Sequence, residues 1–214
     1  MATGGNVPGH LEALVLAAGA GARFGGAKLT APWRGGVLID GALAAAFAAP
    51  ARSVIVVTGA DPGVAGAARA FAAGIAQAPR LRLVYAADHT QGMAASLRAG
   101  LEALPTDAAG AFVFLGDMPA IPPTILQPLA AALAEGALAA APVFEGRRGH
   151  PVLFGRELFE ALRNLAGDQG GRSVLDSLGA GLTLIEAADS GIAFDIDRRE
   201  AAPPEAIPPR IVLR

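Results

Sequence analysis

One lysine stands among the 17 basic residues of this 214-residue chain, and it closes a glycine-rich loop. The rest are arginines. The segment reads Leu14-Val15-Leu16-Ala17-Ala18-Gly19-Ala20-Gly21-Ala22-Arg23-Phe24-Gly25-Gly26-Ala27-Lys28. Lysine carries a compact point charge, whereas arginine carries a planar fork. A lone lysine in an arginine-rich chain points to a job guanidinium cannot do, and phosphate binding is one such job. The glycines let backbone N–H groups approach an anion closely. Lys28 and Arg23 would offset the charge of a triphosphate. The plainer alternatives are a solvated surface lysine and a surface salt bridge at Arg23.

Other chemistry-bearing residues follow apolar runs. Asp117, in Gly116-Asp117-Met118-Pro119, comes directly after Phe112-Val113-Phe114-Leu115. A carboxylate at a strand end can hold Mg²⁺ together with a substrate phosphate. A turn or helix N-cap aspartate is the competing reading. Asp195 and Asp197 alternate along an expected strand and so share one face. Either could supply a second metal carboxylate; only one is needed. Ser96 and Arg98 open an expected helix after Gly92, and helix N-termini favour anions; an ordinary capped helix explains them as well. His150 has no second histidine or carboxylate at metal-ligand spacing, which by itself favours a structural histidine. Arg147 and Arg148 read as a solvated turn or an anion site, and Asp168 and Arg172 carry the same ambiguity.

Two common phosphate loops are excluded. Gly21 and Gly26 have P-loop separation, but Ala27 intervenes before Lys28 and Leu29 replaces the metal-binding Ser/Thr. Gly19, Gly21 and Gly25 are spaced one residue too long for a dinucleotide fingerprint, and no acidic residue closes a second strand about twenty residues on. The net charge of −2 supplies no basic field for nucleic acid. With no cysteine there are no disulfides, thiolate metal sites or cysteine nucleophiles; this fits a cytoplasmic protein. No apolar run reaches membrane-spanning length. Leu14–Ala22 imitates a signal-peptide core, but no Lys or Arg precedes it and Glu12 does, so a signal peptide is not expected.

These residues need a scaffold that gathers strand ends. Strands are expected at Ala13–Ala17, Ser53–Thr58, Leu81–Tyr85, Ala111–Leu115, Leu138–Val143, Pro151–Phe154, Leu182–Ile185 and Ile192–Ile196. Helices are expected at Ile39–Phe47, Gly63–Ala76, Met93–Leu104, Pro123–Glu135, Arg156–Leu165 and Gly171–Leu178. The alternation argues for a single-domain, Rossmann-like open α/β sheet, mostly parallel and flanked by helices. Val54-Ile55-Val56-Val57 fits a strand buried on both faces. Ligands of such sheets bind at the carboxyl ends of strands, where the informative residues fall. The expected organisation is a loose segment over 1–10, a domain over 11–200 and a Pro-rich tail over 201–214.

The loop from Leu16 to Lys28 resembles the signature of nucleotidyltransferases that consume a nucleoside triphosphate and release pyrophosphate. Gln91-Gly92-Met93-Ala94-Ala95-Ser96-Leu97-Arg98-Ala99-Gly100 is similar to that family's mid-chain loop, and Gly116-Asp117-Met118-Pro119 to its metal-binding aspartate motif. Ala141-Pro142-Val143, Gly146-Arg147-Arg148-Gly149-His150-Pro151 and Gly167-Asp168-Gln169-Gly170-Gly171-Arg172 resemble the molybdopterin-directed branch. Over residues 14–197 the chain resembles the MobA-like NTP transferases, and within them the molybdenum cofactor cytidylyltransferases.

The resemblance implies a GT-A-like nucleotidyltransferase fold, with Mg²⁺ as cofactor and CTP and molybdopterin (or molybdenum cofactor) as substrates. A recipient molybdenum hydroxylase is a further implied partner. Leu16, Ala17, Ala18, Gly19, Gly21, Arg23, Gly25, Lys28, Gly92, Ser96 and Asp117 would bind nucleotide. Arg23, Lys28 and Asp117 would carry catalysis, and Asp117 with Asp195 or Asp197 would hold the metal. Arg147, Arg148, His150 and Asp168 would face the pterin or its terminal phosphate. Departures exist: Phe24 replaces the usual methionine, and Arg198-Arg199 and Pro203-Pro204 break the usual ending. Met118 leans toward guanylyltransferases, while Ala18 leans toward the cytidine enzymes. The rivals are a guanylyl or sugar-phosphate nucleotidyltransferase and a non-catalytic cofactor carrier.

Overall fold

In the computed structural model, which describes residues 10–196, the chain alternates strands and helices. β1 (His10–Ala17) is followed by a small hairpin of β2 (Pro32–Trp33) and β3 (Gly36–Val37), then α1 (Ile39–Ala48). Next come β4 (Val54–Thr58), α2 (Gly63–Gly74), β5 (Leu81–Tyr85), α3 (Met93–Glu102), β6 (Ala108–Leu115) and α4 (Leu126–Ala134). The remainder is β7 (Ala139–Phe144), β8 (Arg147–Arg148), β9 (Val152–Gly155), α5 (Phe159–Arg163), α6 (Arg172–Ser177) and β10 (Leu182–Glu186).

The main sheet has the order β10-β7-β9-β6-β1-β4-β5, with β8 paired to β7. It is mostly parallel. β9 runs antiparallel to both β6 and β7, and the two-residue β8 runs antiparallel to β7. Side chains alternate between two helical layers. Ala13, Val15, Val54, Val56, Phe112 and Phe114 pack on the face covered by α1, α2 and α4. Leu14, Ile55, Ala111 and Val113 face α3, α5 and α6. All of Val54–Val57 is fully buried, as both-face coverage demands. At about 1.5–3 kcal/mol per buried aliphatic side chain, this central layer supplies a large part of the driving force.

The strand expected at Ile192–Ile196 does not form. Asp189 accepts from the Gly191 N–H (2.7 Å) and starts a 3-10 turn over Ser190–Ala193 instead. The backbone groups that would have joined a ladder bond to loops: the His150 N–H donates to the Ile192 carbonyl (2.7 Å), and the Ile196 N–H to the Asp117 carbonyl (3.2 Å). Asp195 is therefore an exposed residue of an extended segment, not a strand-face residue. Asp197 and the tail over 201–214 lie outside the described residues.

A buried carboxylate locks the opposite end of the sheet. Glu12 is fully buried in β1. It accepts from the Ser53 N–H (3.0 Å), the Ser53 hydroxyl (2.5 Å) and Arg52 Nε (2.8 Å). Arg52 in turn makes a two-pronged contact with Asp107, just before β6. The hydrogen bonds from Arg52 hold the Asp107 carboxyl down at about 2. One acid thus fixes how β1, β4 and β6 enter the sheet. Glu12→Ala is expected to destabilise the fold by about 3 kcal/mol in urea unfolding. A loss under about 0.5 kcal/mol, the range of ordinary surface changes, would show that the cluster locks nothing.

Candidate active site

β1 and β6 are parallel neighbours, with Leu16 paired to Leu115. The loops that follow them emerge side by side, and the Gly116 N–H donates to the Leu16 carbonyl (3.0 Å). The first loop turns at Gly21, whose φ of +60 is left-handed. A Cβ there would sit 2.7 Å from the Cβ of Lys28, so glycine is required twice over. A 3-10 turn over Ala22–Phe24 follows, anchored by the buried Phe24 ring, and leaves Arg23 exposed. The loop then returns to bring Lys28 beside Asp117.

Lys28 is 8 % exposed, and its Nζ lies 2.8 Å from Asp117 Oδ2. The alternative of a solvated lysine is therefore overturned. Its loop is moored from behind: Thr30 donates to Asp61 (2.8 Å), which also accepts from the Gly63 N–H at the start of α2 (2.9 Å).

A cavity of about 570 Å³ opens over this pair. Leu16, Ala17, Ala18, Gly19, Gly21, Lys28, Gly92, Ser96 and Asp117 line it together, as the sequence led one to expect of a common site. Asp168 lines this cavity too, because Gly92 leaves no Cβ between them; one would stand 2.6 Å from Asp168 Oδ1. A second cavity of about 580 Å³ shares Leu16, Met93 and Leu115 with the first. Arg147, Arg148, His150 and Arg172 line it over an apolar floor that includes Val113 and Phe154. Arg23, Gly25 and Asp195 line neither. Asp195 is nonetheless tethered near the site, since its neighbour Ile196 bonds to the Asp117 backbone.

Local electrostatics separate the basic residues. Arg98 does not face the cavity as an anion ligand. Its Nε and Nη2 donate to the Arg163 and Leu165 carbonyls (3.0 and 2.9 Å), which ties α3 to the segment carrying Asp168. The Gly167 carbonyl accepts from the Ala94 N–H (3.0 Å) and reinforces that tie. Arg148, which lines the second cavity, pairs with Asp176 of α6. Burial pushes the His150 imidazole below the ordinary histidine range, while the Val113 carbonyl and the Asp117 charge pull it partly back. Met118, the chain neighbour of Asp117, is buried in the core and lines neither cavity.

His89 and Thr90 also line the first cavity, and sequence reasoning did not single them out. They sit in a short 3-10 turn (His89–Gln91) between β5 and α3. The available signal was position alone: polar residues just past the carboxyl end of a central-sheet strand.

Comparison with known proteins agrees with this architecture. Residues 13–182 match the MobA-like NTP transferase domain. The chain is similar to the molybdenum cofactor cytidylyltransferase of Escherichia coli (strain K12), 27% identical over 143 residues, covering 67% of this chain and 69% of that one. It is also similar to the solved structure of Rv0371c from Mycobacterium tuberculosis H37Rv: TM-score 0.74, 26% identity, covering 90% of this chain and 95% of that one. The manganese complex of Rv0371c aligns with a TM-score of 0.65 and 25% identity over 83% of this chain and 88% of that one. A glycine loop on β1, an aspartate on β6 and a family match spanning most of the described residues lead to one conclusion: the chain is a nucleotidyltransferase that belongs to the MobA-like NTP transferase family.

Proposed function

We propose that this nucleotidyltransferase moves CMP from CTP to the terminal phosphate of molybdopterin or molybdenum cofactor. The observation that carries the reading is the pair of adjoining cavities, one built on the glycine loop and Lys28, the other rimmed by Arg147, Arg148, His150 and Arg172. Asp117 lines the first, and Leu16, Met93 and Leu115 are common to both. A donor triphosphate fits the first, and an acceptor with an apolar ring and an anionic group fits the second. The name of the Escherichia coli relative supports this acceptor.

In the proposed reaction an oxygen of the acceptor phosphate attacks the α-phosphorus of CTP in line. The bond to the α,β-bridging oxygen breaks, and pyrophosphate leaves with its electron pair. The acceptor is already an oxyanion, so a covalent enzyme intermediate is unnecessary. Positioning and charge neutralisation then carry catalysis. Lys28 and Arg23 bind the β- and γ-phosphates and offset the charge of the leaving group. The backbone of Leu16–Gly21, with Gly92 and Ser96, holds the rest of the nucleotide. Arg147, Arg148 and His150 orient the acceptor; Asp168, expected beside them, lines the first cavity and not the second.

The donor set suits a hard divalent cation. Asp117 offers carboxylate oxygens at the cavity wall with its side chain 29 % exposed, and Asp195 is held close through Ile196. Mg²⁺ is the proposed ion; the manganese in the Rv0371c complex supports a divalent metal in this fold. When bound, such a metal withdraws charge from the reacting phosphates. Asp117, with Asp195 or Asp197, would hold it.

Cytidine is favoured over guanosine by position. The residue that leans toward guanylyl transfer, Met118, is buried away from both cavities, whereas Ala18, which leans toward cytidine, lines the first. The decisive assay supplies Mg²⁺ and molybdenum cofactor with CTP, GTP, ATP or UTP and measures pyrophosphate. Release with CTP is expected. Release with GTP alone would overturn the base, and silence with all four would overturn the transfer.

Lys28→Ala is expected to lower kcat by about 10²–10³-fold, the scale of losing one preorganised charge-stabilising donor. Lys28→Arg should fail to restore it, because a planar fork does not fit the slot of a buried ammonium. Near-normal turnover in either variant would remove Lys28 from the chemistry. Asp117→Asn should weaken Mn²⁺ binding, read by electron paramagnetic resonance, by at least about tenfold; unchanged binding would take Asp117 out of the metal site.

A further inference from the structure

The segment from Ser190 to Ile196 packs against the two loops that carry the proposed acceptor and metal groups. At one end Gly149 lies so close to it that a Cβ would collide with the Ile192 carbonyl oxygen, and the next N–H, from His150, donates to that oxygen (2.7 Å). One residue earlier at the same end, Gly191 lies against the loop after Asp117; a Cβ there would collide with the Ala120 carbonyl oxygen. The Ile196 N–H then donates to the Asp117 carbonyl (3.2 Å). Asp189 starts the turn, and Ile192 and Ile196 are both buried. None of these contacts is a sheet ladder, so the segment links loops from different strands.

We propose that Ser190–Ile196 is a positioning strap, with Gly149 and Gly191 as its two close-contact joints. It sets the spacing between the Asp117 loop and the Gly149–His150 loop. The inference rests on the transfer reading: in-line attack needs the acceptor oxygen near van der Waals distance from the metal-held phosphate, and a shift of about 1 Å costs about a hundredfold in rate. The pairing of β9 with β6 relates the strands, but the two loops, one after β6 and one between β8 and β9, lie beyond that ladder. The strap touches both through backbone atoms, which cannot swing as side chains can. Gly149 and Gly191 are positioning residues: Gly191 lines neither cavity, Gly149 meets the second with backbone alone, and their missing side chains let the strap sit down.

The test reads transmission along the strap by amide hydrogen exchange in the free protein. In Gly191→Ala, exchange at the Ile196 N–H, five residues further along the strap, is expected to speed up by about tenfold or more. In Gly149→Ala the Ile196 N–H should speed up likewise. A change confined to each substituted joint would overturn the strap and leave two local packing sites. In turnover, Gly149→Ala should lower kcat by about tenfold or more while the Kd of metal–CTP moves less than about threefold; an equal loss in both would mean general loosening. If neither variant folds, the wild-type protein decides. The His150 and Ile196 amides should then exchange at similar rates as one cooperative unit, and rates about a hundredfold apart would overturn the proposal. Exchange needs no turnover, so an absence of pyrophosphate release would defeat the transfer reading without touching this measurement.

Discussion

The parallel pairing of β1 with β6 is the constraint on which the rest depends. Because the two strands run the same way in register, their carboxyl ends finish together, with Leu16 opposite Leu115. The loops that follow must then rise on one side of the sheet. That alone brings a lysine at position 28 to an aspartate at position 117, across 89 residues of sequence. The amino ends of the same strands are fixed by the Glu12 cluster, which reaches β4 through Ser53 and β6 through Asp107. A slip of one residue would turn every alternating side chain to the wrong layer and break that cluster. Core burial sets the magnitude of stability; the buried acid sets which register receives it.

Arginine and lysine divide the electrostatic work according to shape. Arg98 and Arg80 each reach two backbone carbonyls, and Arg52 reaches two carboxylates; such contacts use several donors of one rigid fork. Each joins segments distant in sequence. Arg98 matters most for the site, since it holds the segment that delivers Asp168 to one cavity and Gly170–Arg172 to the other. Lys28 makes a different contact: one ammonium, buried against the Asp117 carboxylate. A guanidinium in that slot would bring donors that the small space does not accommodate.

Much of this was legible in sequence for a physical reason. Strands buried on both faces must be continuously apolar, so β4 and β6 announce themselves, and β5 was bounded to the residue. Long-range pairing obeys a weaker code. The reversed direction of β9 is invisible, because an apolar run does not record its orientation. The hairpin of β2 and β3 is too short to show a period. The stretch over Ile192–Ile196 has the alternation of a strand, yet its hydrogen-bonding groups are claimed by the Asp117 and Gly149–His150 loops. Arg98 was misjudged by the same route: its place beside a helix N-terminus was visible, while the carbonyls that occupy its guanidinium lie 65 and 67 residues away. The residues that line the first cavity lie where strand ends gather, and His89 and Thr90 were not singled out among them because nothing in their types marks them.

The Lys28–Asp117 pair also explains how charged residues persist beside so apolar a floor. Leu16, Leu29, Met93 and Leu115 line the same cavity, and water is the poorer solvent there. A buried ammonium without a counter-charge would be strongly disfavoured, and Asp117 supplies that charge in the free protein. An anion entering alone must compete with Asp117 for Lys28. A cation entering alone must compete with Lys28 for Asp117. A phosphate and a divalent metal entering together exchange partners, so that neither Lys28 nor Asp117 is left uncompensated. The low-dielectric floor that makes a lone charge costly makes this exchange favour the pair of ligands over either one. An ion pair that looks like a plug is thus compatible with a site for a metal-chelated triphosphate.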